Sequence, residues 1–297
     1  MKTTLDCIPC LFRQALETAR IFSRDPAVHE RVLRDVLAWS RRMDMNKPAP
    51  VMGQRIHRRL RALTGLRDPY RRAKDIQNKL ALRLLPELRR ELGAAGDRLG
   101  LAVKIAIAGN IIDMGAYGDV GEAGVRAAVE HALREPLRGG LEIFRRAAAK
   151  ARSVLYLTDN AGEIVFDRLL IRELGPGRVT AAVRGAPVLN DAVMADARAA
   201  GLHRLCRVIS NGSDAPGTVL EETSKEFRRL FDGADLVIAK GQGNYETLSD
   251  APRPVWLLFK AKCPVIARRA GVKVGDQVLA RSGKKKPVVE PPGRGRV

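Results

Sequence analysis

Residues 153–185 read SVLYLTDNAGEIVFDRLLIRELGPGRVTAAVRG. A short apolar run stops at Asp159-Asn160. A glycine follows, then a stretch of helical period (AGEIVFDRLLIREL), then a second apolar run, RVTAAVRG. Strand, helix and strand over roughly thirty residues form the repeating unit of a parallel sheet, and its crossover is almost always right-handed. The alternation continues in CRVISNG, ADLVIAKG and PVWLLFKAK, with DAVMADARAA as a helical pattern among them. From about residue 152 the chain therefore reads as an α/β fold. Its sheet reads as mainly parallel, with helices on both faces.

Upstream the texture differs, because residues 1 to about 150 carry helical periodicity. LFRQALETARIF sets Leu11, Ala15, Leu16, Ala19 and Phe22 along one stripe. Asp25-Pro26 and Asp68-Pro69 each have the form of an N-cap followed by proline at the first helical position. The second opens a long arginine-rich segment, YRRAKDIQNKLALRLLPELRREL, which Pro86 should kink or divide. Further helices are expected over 123–134 and 140–151. The predicted organisation is an all-helical N-terminal region over 1–150 and an α/β domain over 151–282. A basic tail over 283–297 has the composition of disorder.

At 297 residues the chain can bury a sizeable core. No run of about 20 apolar residues is present to span a membrane. The start, MKTTLDCIPC, lacks the layout of a secretory signal, and the four cysteines lack disulfide-framework spacing. The expectation is a cytoplasmic protein with no membrane partner. Lys and Arg number 53 against 33 Asp and Glu, a net charge of +20, which raises nucleic acid as a partner through counterion release. The surplus is spread along the chain, however, and aromatics at 4% leave few platforms for stacking bases. Small phosphorylated partners fit better, with nucleic acid left to the basic tail.

Ligands of such sheets sit at the carboxyl ends of the strands. Asp159-Asn160 lies at one such end, and Asp191 lies one strand–helix–strand step beyond it. Two carboxylates and an amide oxygen make a hard, oxygen-only set suited to Mg²⁺ or Mn²⁺. The competing reading is helix capping, since Asp191 precedes AVMADARAA. The segment KGQGNYETL offers Lys240 and a glycine turn whose N–H groups could hold phosphate oxygens. It lacks the third glycine of a dinucleotide fingerprint, and no GxxxxGK[ST] loop occurs. Lys260 and Lys262 follow the apolar run VWLLF and could reach the same edge. The four histidines are scattered. Cys7 and Cys10 form CIPC, without the second pair a structural zinc site needs; two buried small residues are the plain reading of that motif.

Taken in order, DCIPC (6–10), DPYRRAKDIQN (68–78), GNIIDMG (109–115), TDNAGEIVFD (158–167), LND (189–191), SDAPGT (213–218), KGQGNYE (240–246) and KAKCPV (260–265) give the chain a specific resemblance. It resembles the DUF89 family of metal-dependent damage-control phosphatases, in the prokaryotic stand-alone subfamily with a CxxC signature. The resemblance covers about 1–270. It implies hydrolysis of sugar phosphates or damaged metabolite phosphates. It also implies a Rossmann-like sheet and a divalent metal (Mn²⁺, Co²⁺, Ni²⁺ or Mg²⁺) on Asp159, Asn160 and Asp191. The expected mechanism is metal-assisted phosphomonoester hydrolysis with Asp159, Asp191 and Lys262 as its catalytic residues. Substrate-contacting positions carry over onto Glu163, Gln242, Gly243, Asn244, Tyr245, Glu246 and Lys262. Relatives with another signature have Arg and Thr where Phe259 and Lys260 stand here, so their substrate choice does not transfer. Direct attack by water and a transient phospho-aspartate are both compatible with this set. The alternative function is a Rossmann-like nucleotide- or RNA-binding protein without turnover.

Overall fold

The computed structural model describes residues 1–113 and 122–283. The basic tail beyond Gly283 and the end of GNIIDMG lie outside the described residues. The strands are β1 (Leu137–Gly139), β2 (Val154–Leu157), β3 (Val179–Val183), β4 (Arg207–Ser210), β5 (Leu236–Lys240), β6 (Trp256–Lys260) and β7 (Gln277–Arg281). They form one sheet in the order β1-β7-β6-β5-β2-β3-β4. All neighbours are parallel except β6 and β7. The expected α/β fold is present, and β2 and β3 are adjacent and parallel as their short crossover requires.

β2 is where the chain changes direction across the sheet. β3 and β4 are added on one side of it, and β5 and β6 on the other. A crevice opens at the carboxyl end of such a switch point. Asp159 and Asn160 follow β2 after a single residue, Thr158, so the topology alone delivers them to the crevice.

Side-chain alternation assigns each strand residue to one of two cores. Val154 and Tyr156 of β2 enter the first, and Leu155 and Leu157 the second. The first core is covered by α4 (Arg71–Ala94), α5 (Arg98–Ala108), α6 (Glu122–Arg134), α7 (Leu141–Lys150), α8 (Glu163–Leu174) and α9 (Met194–Ala199). The second is covered by α10 (Lys225–Gly233), α11 (Gln242–Leu248) and α12 (Pro264–Ala270). A third core joins α1 (Cys7–Phe22), α2 (Pro26–Ser40) and α3 (Ala49–Thr64). The change of texture near residue 150 therefore does not coincide with a change of core. Among the described residues α4 to α7 pack on the sheet, and α1 to α3 form a separate bundle.

Some local expectations need correction. Asp25 caps α2 as predicted, accepting from the Ala27 N–H at 2.9 Å. Asp68 does not cap α4, which starts at Arg71; its carboxylate accepts from the Tyr70 N–H and from Lys74. α4 runs through Pro86 without interruption, with leucines on both sides of it buried in the first core. β1 and β7 were not foreseen: β1 is three residues long, too short for a period to register. Arg58 and Arg61 of α3 pair with Asp214 in SDAPGT, which ties the bundle to the carboxyl edge of the sheet. Among the described residues no helix is long and apolar enough to cross a membrane.

Candidate active site

Two loops meet at the switch point. After β2, residues 159–161 run beside residues 190–192. Asn160 and Asp191 form an antiparallel bridge, Ala192 N–H donates to the Asp159 carbonyl at 2.7 Å, and Ala161 N–H donates to the Asn190 carbonyl at 2.8 Å. This backbone pairing brings Asp159, Asn160 and Asp191 together. Leu189 enters the second loop at φ 46°, a left-handed conformation that costs a residue with a β-carbon about 1–2 kcal/mol. Local strain of this kind clusters at functional sites.

Capping does not account for these residues. The N-cap of α8 is Gly162, and that of α9 is Val193, whose N–H donates to Asp196. Asp159, Asn160 and Asp191 are buried, at 8%, 5% and 3% exposure, yet all three line a cleft of about 770 Å³. Gly241, after β5, closes the crevice at φ 84°. A β-carbon there would lie 1.9 Å from Oδ2 of Asp159, so only glycine lets the two strand ends approach this closely.

The site is braced from behind. Asn160 Nδ2 donates to Oδ2 of Asp159 at 3.1 Å and to Oε2 of Glu163 at 3.3 Å. Glu163 is in turn held by Lys240, whose ammonium donates to Glu163 Oε1 (2.6 Å), Asp167 Oδ1 (2.7 Å) and the Ala106 carbonyl (2.6 Å). Tyr156 donates to the same Asp167 oxygen at 2.7 Å. Burial raises the Asp167 carboxyl to about 6 even against the pull of Lys240. Asp159 is held well above the usual carboxylate range, first by burial and then by the Glu163 and Asp191 carboxylates, while Arg184 and Lys262 oppose the shift. Asp191 is raised by burial, against the Arg184 guanidinium that donates to it at 2.6 Å.

A model of the damage-control phosphatase ARMT1-like domain matches residues 3–278. The chain belongs to the damage-control phosphatase family. A damage-control phosphatase of Archaeoglobus fulgidus is 35% identical, with 94% of this chain and 98% of that protein covered. One from Pyrococcus horikoshii is 33% identical over 95% and 99%. An uncharacterized protein of Methanocaldococcus jannaschii is 36% identical over 95% and 96%. The crystal structure of a DUF89 family protein from P. horikoshii superposes with a TM-score of 0.87 at 32% identity, covering 95% of this chain and all of that one.

Against the family's expected positions, this phosphatase-family chain sorts into two groups. Gln242, Gly243, Glu246 and Lys262 line the cleft with Asp159, Asn160 and Asp191. Gln242 Oε1 accepts from the Lys262 N–H at 2.9 Å, which fixes the lysine's backbone, and Lys262 itself is exposed. Four other positions lie outside the lining of the cleft. Lys240 is fully buried with three partners. Glu163 stands behind Asn160 and touches it rather than the cleft. Asn244 is buried, bonded to Thr218 and to the Lys240 carbonyl. Tyr245 is buried with its ring against Phe259. Lys260 pairs with Glu135 at 3.5 Å and so is occupied away from the cleft. Cys7 and Cys10 are not the buried small residues of the plain reading, since both line the cleft.

Three contributors escaped the sequence reading. Asn78 Oδ1 accepts from the Gly162 N–H at 2.8 Å, so the motif DPYRRAKDIQN reaches from α4 to the loop after Asn160. Asn110 donates to Glu163 at 3.4 Å, and Gly109 leaves room for that side chain. Arg184 closes β3 directly behind Asp159 and Asp191. Its signal was an arginine ending a buried strand at the same edge, hidden among 53 basic residues.

Proposed function

We propose that the chain is a divalent-metal-dependent phosphomonoesterase acting on small phosphorylated metabolites, with Asp159, Asn160 and Asp191 as the residues that would hold the metal. The observation carrying this reading is the convergence of those three side chains at the switch point of the sheet, in a cleft that also receives Lys262. The donors fit a hard cation. They are two carboxylates and an amide, and burial and mutual repulsion hold the Asp159 carboxyl far above its ordinary range. Such a cluster is relieved by positive charge.

A bound divalent ion supplies Lewis-acid polarisation of a phosphoryl oxygen. The chain's own residues do the rest. Lys262, anchored through its N–H by Gln242, brings an ammonium to the cleft as a point charge for phosphate oxygens. That charge offsets what gathers on the phosphoryl group as the ester bond breaks. Lys240 acts through Glu163 to keep the Asn160 amide in one orientation. A volume of about 770 Å³ leaves room for a metabolite body beside the phosphate, in the ordinary range of small-molecule sites.

The test is phosphate release from a panel of sugar phosphates and nucleotides, with Mn²⁺ and with a chelator. Metal-dependent release from at least one class is expected. No release from any of them, combined with a salt-sensitive RNA mobility shift, would favour a binding protein instead.

A further inference from the structure

Arg184 lies 2% exposed at the end of β3, outside the lining of the cleft. Its Nε donates to Oδ2 of Asp191 at 2.6 Å. Its Nη2 stands 3.6 Å from Oδ1 of Asp159, within ion-pair range but beyond a hydrogen bond, and has no hydrogen-bond partner among the described residues. A buried guanidinium N–H without a hydrogen bond is costly, so the surrounding structure must fix it there. What fixes it is the backbone: Arg184 N–H donates to the Ala192 carbonyl at 2.9 Å, and Arg184 bridges Val193. The residue therefore belongs to the same loop pairing that carries Asp191, and its fork spans both carboxylates.

We infer that Arg184 is a positioning residue for the metal-holding set, fixing Asp191 through Nε and restraining Asp159 through Nη2. The inference rests on the metal reading proposed above. Two rigidly separated donors are needed for this task. A lysine would keep the charge, but it gathers its donors on one nitrogen and lacks the planar fork that here separates the contact to Asp191 from the one to Asp159. Residues that orient metal ligands from behind typically change metal affinity by about tenfold to a hundredfold when replaced.

The experiment is calorimetric titration of Mn²⁺ into the full chain, unaltered and as Arg184→Lys and Arg184→Ala, with near-ultraviolet circular dichroism on each. Both variants are expected to bind Mn²⁺ about tenfold to a hundredfold more weakly than the unaltered protein. Should Arg184→Ala fail to fold, Arg184→Lys carries the comparison. Unaltered affinity in a folded Arg184→Lys would overturn the inference, because charge alone would then suffice. No Mn²⁺ binding by the unaltered chain would overturn the metal reading and this inference with it.

Discussion

Lys262 and Lys260 are two residues apart at the end of one strand, yet only one meets the cleft. β6 ends at Lys260, whose ammonium pairs with Glu135, while Lys262 lies past the strand and lines the cleft. A charge-assisted contact to phosphate is worth roughly 1.5–3 kcal/mol. Lys262→Ala should therefore lower kcat/KM for a phosphomonoester by about tenfold to a hundredfold, and Lys260→Ala by less than about threefold. Steady-state kinetics of the two variants decide this. Equal effects would remove Lys262 from the site. Asp159 and Asn160 were legible because a polar pair just past a buried strand is a local signal, and Asp191 because one strand–helix–strand step returns the chain to the same edge. The burial of Lys240 was not legible, because Glu163 and Asp167 are far from it in the chain and meet it only through packing.

Among the elements, β5 and α8 are locked by that buried triad. Lys240 from β5 meets Glu163 and Asp167 from the first turns of α8, and Ala106 closes the set from α5. Burial works against the Lys240 charge, but the two carboxylates outweigh it and raise its pKa. Removing one partner of a buried ion pair leaves uncompensated charge and costs about 3–5 kcal/mol. Lys240→Met should lower the free energy of unfolding by that amount in a urea titration. A loss below about 1 kcal/mol would show that the carboxylates find protons or water without strain. The parallel strands were legible as apolar runs, and α8 by its helical period. β1 and β7 were not, since a three-residue strand and an antiparallel return carry too little pattern.

Across the whole molecule, the cleft joins the α1–α3 bundle to the sheet, with residues of α1, α3, α11 and α12 on its lining. Glu246 of α11 is part of that lining. Burial raises its carboxyl from 4.5 to about 7, against the Gln242 amide and the chain's terminal ammonium. The folded protein thus keeps a proton that the unfolded chain loses. This contribution to stability is complete below about pH 4.5 and is lost as pH rises through about 7. Glu246→Gln stays neutral and can still accept from Gln242. At pH 8 it should be more stable than the unaltered chain by on the order of 1 kcal/mol, with little difference at pH 4.5. Thermal unfolding at both values checks the sign; a variant less stable at pH 8 would contradict it.

The proposed metal set is tested most directly by anomalous diffraction from crystals grown with Mn²⁺. The result predicted is a manganese peak within coordinating distance of Asp159, Asn160 and Asp191, absent from Asp159→Asn crystals under the same conditions. A protein whose phosphate release depends on Mn²⁺, but whose manganese lies elsewhere and leaves these three side chains untouched, would contradict the account.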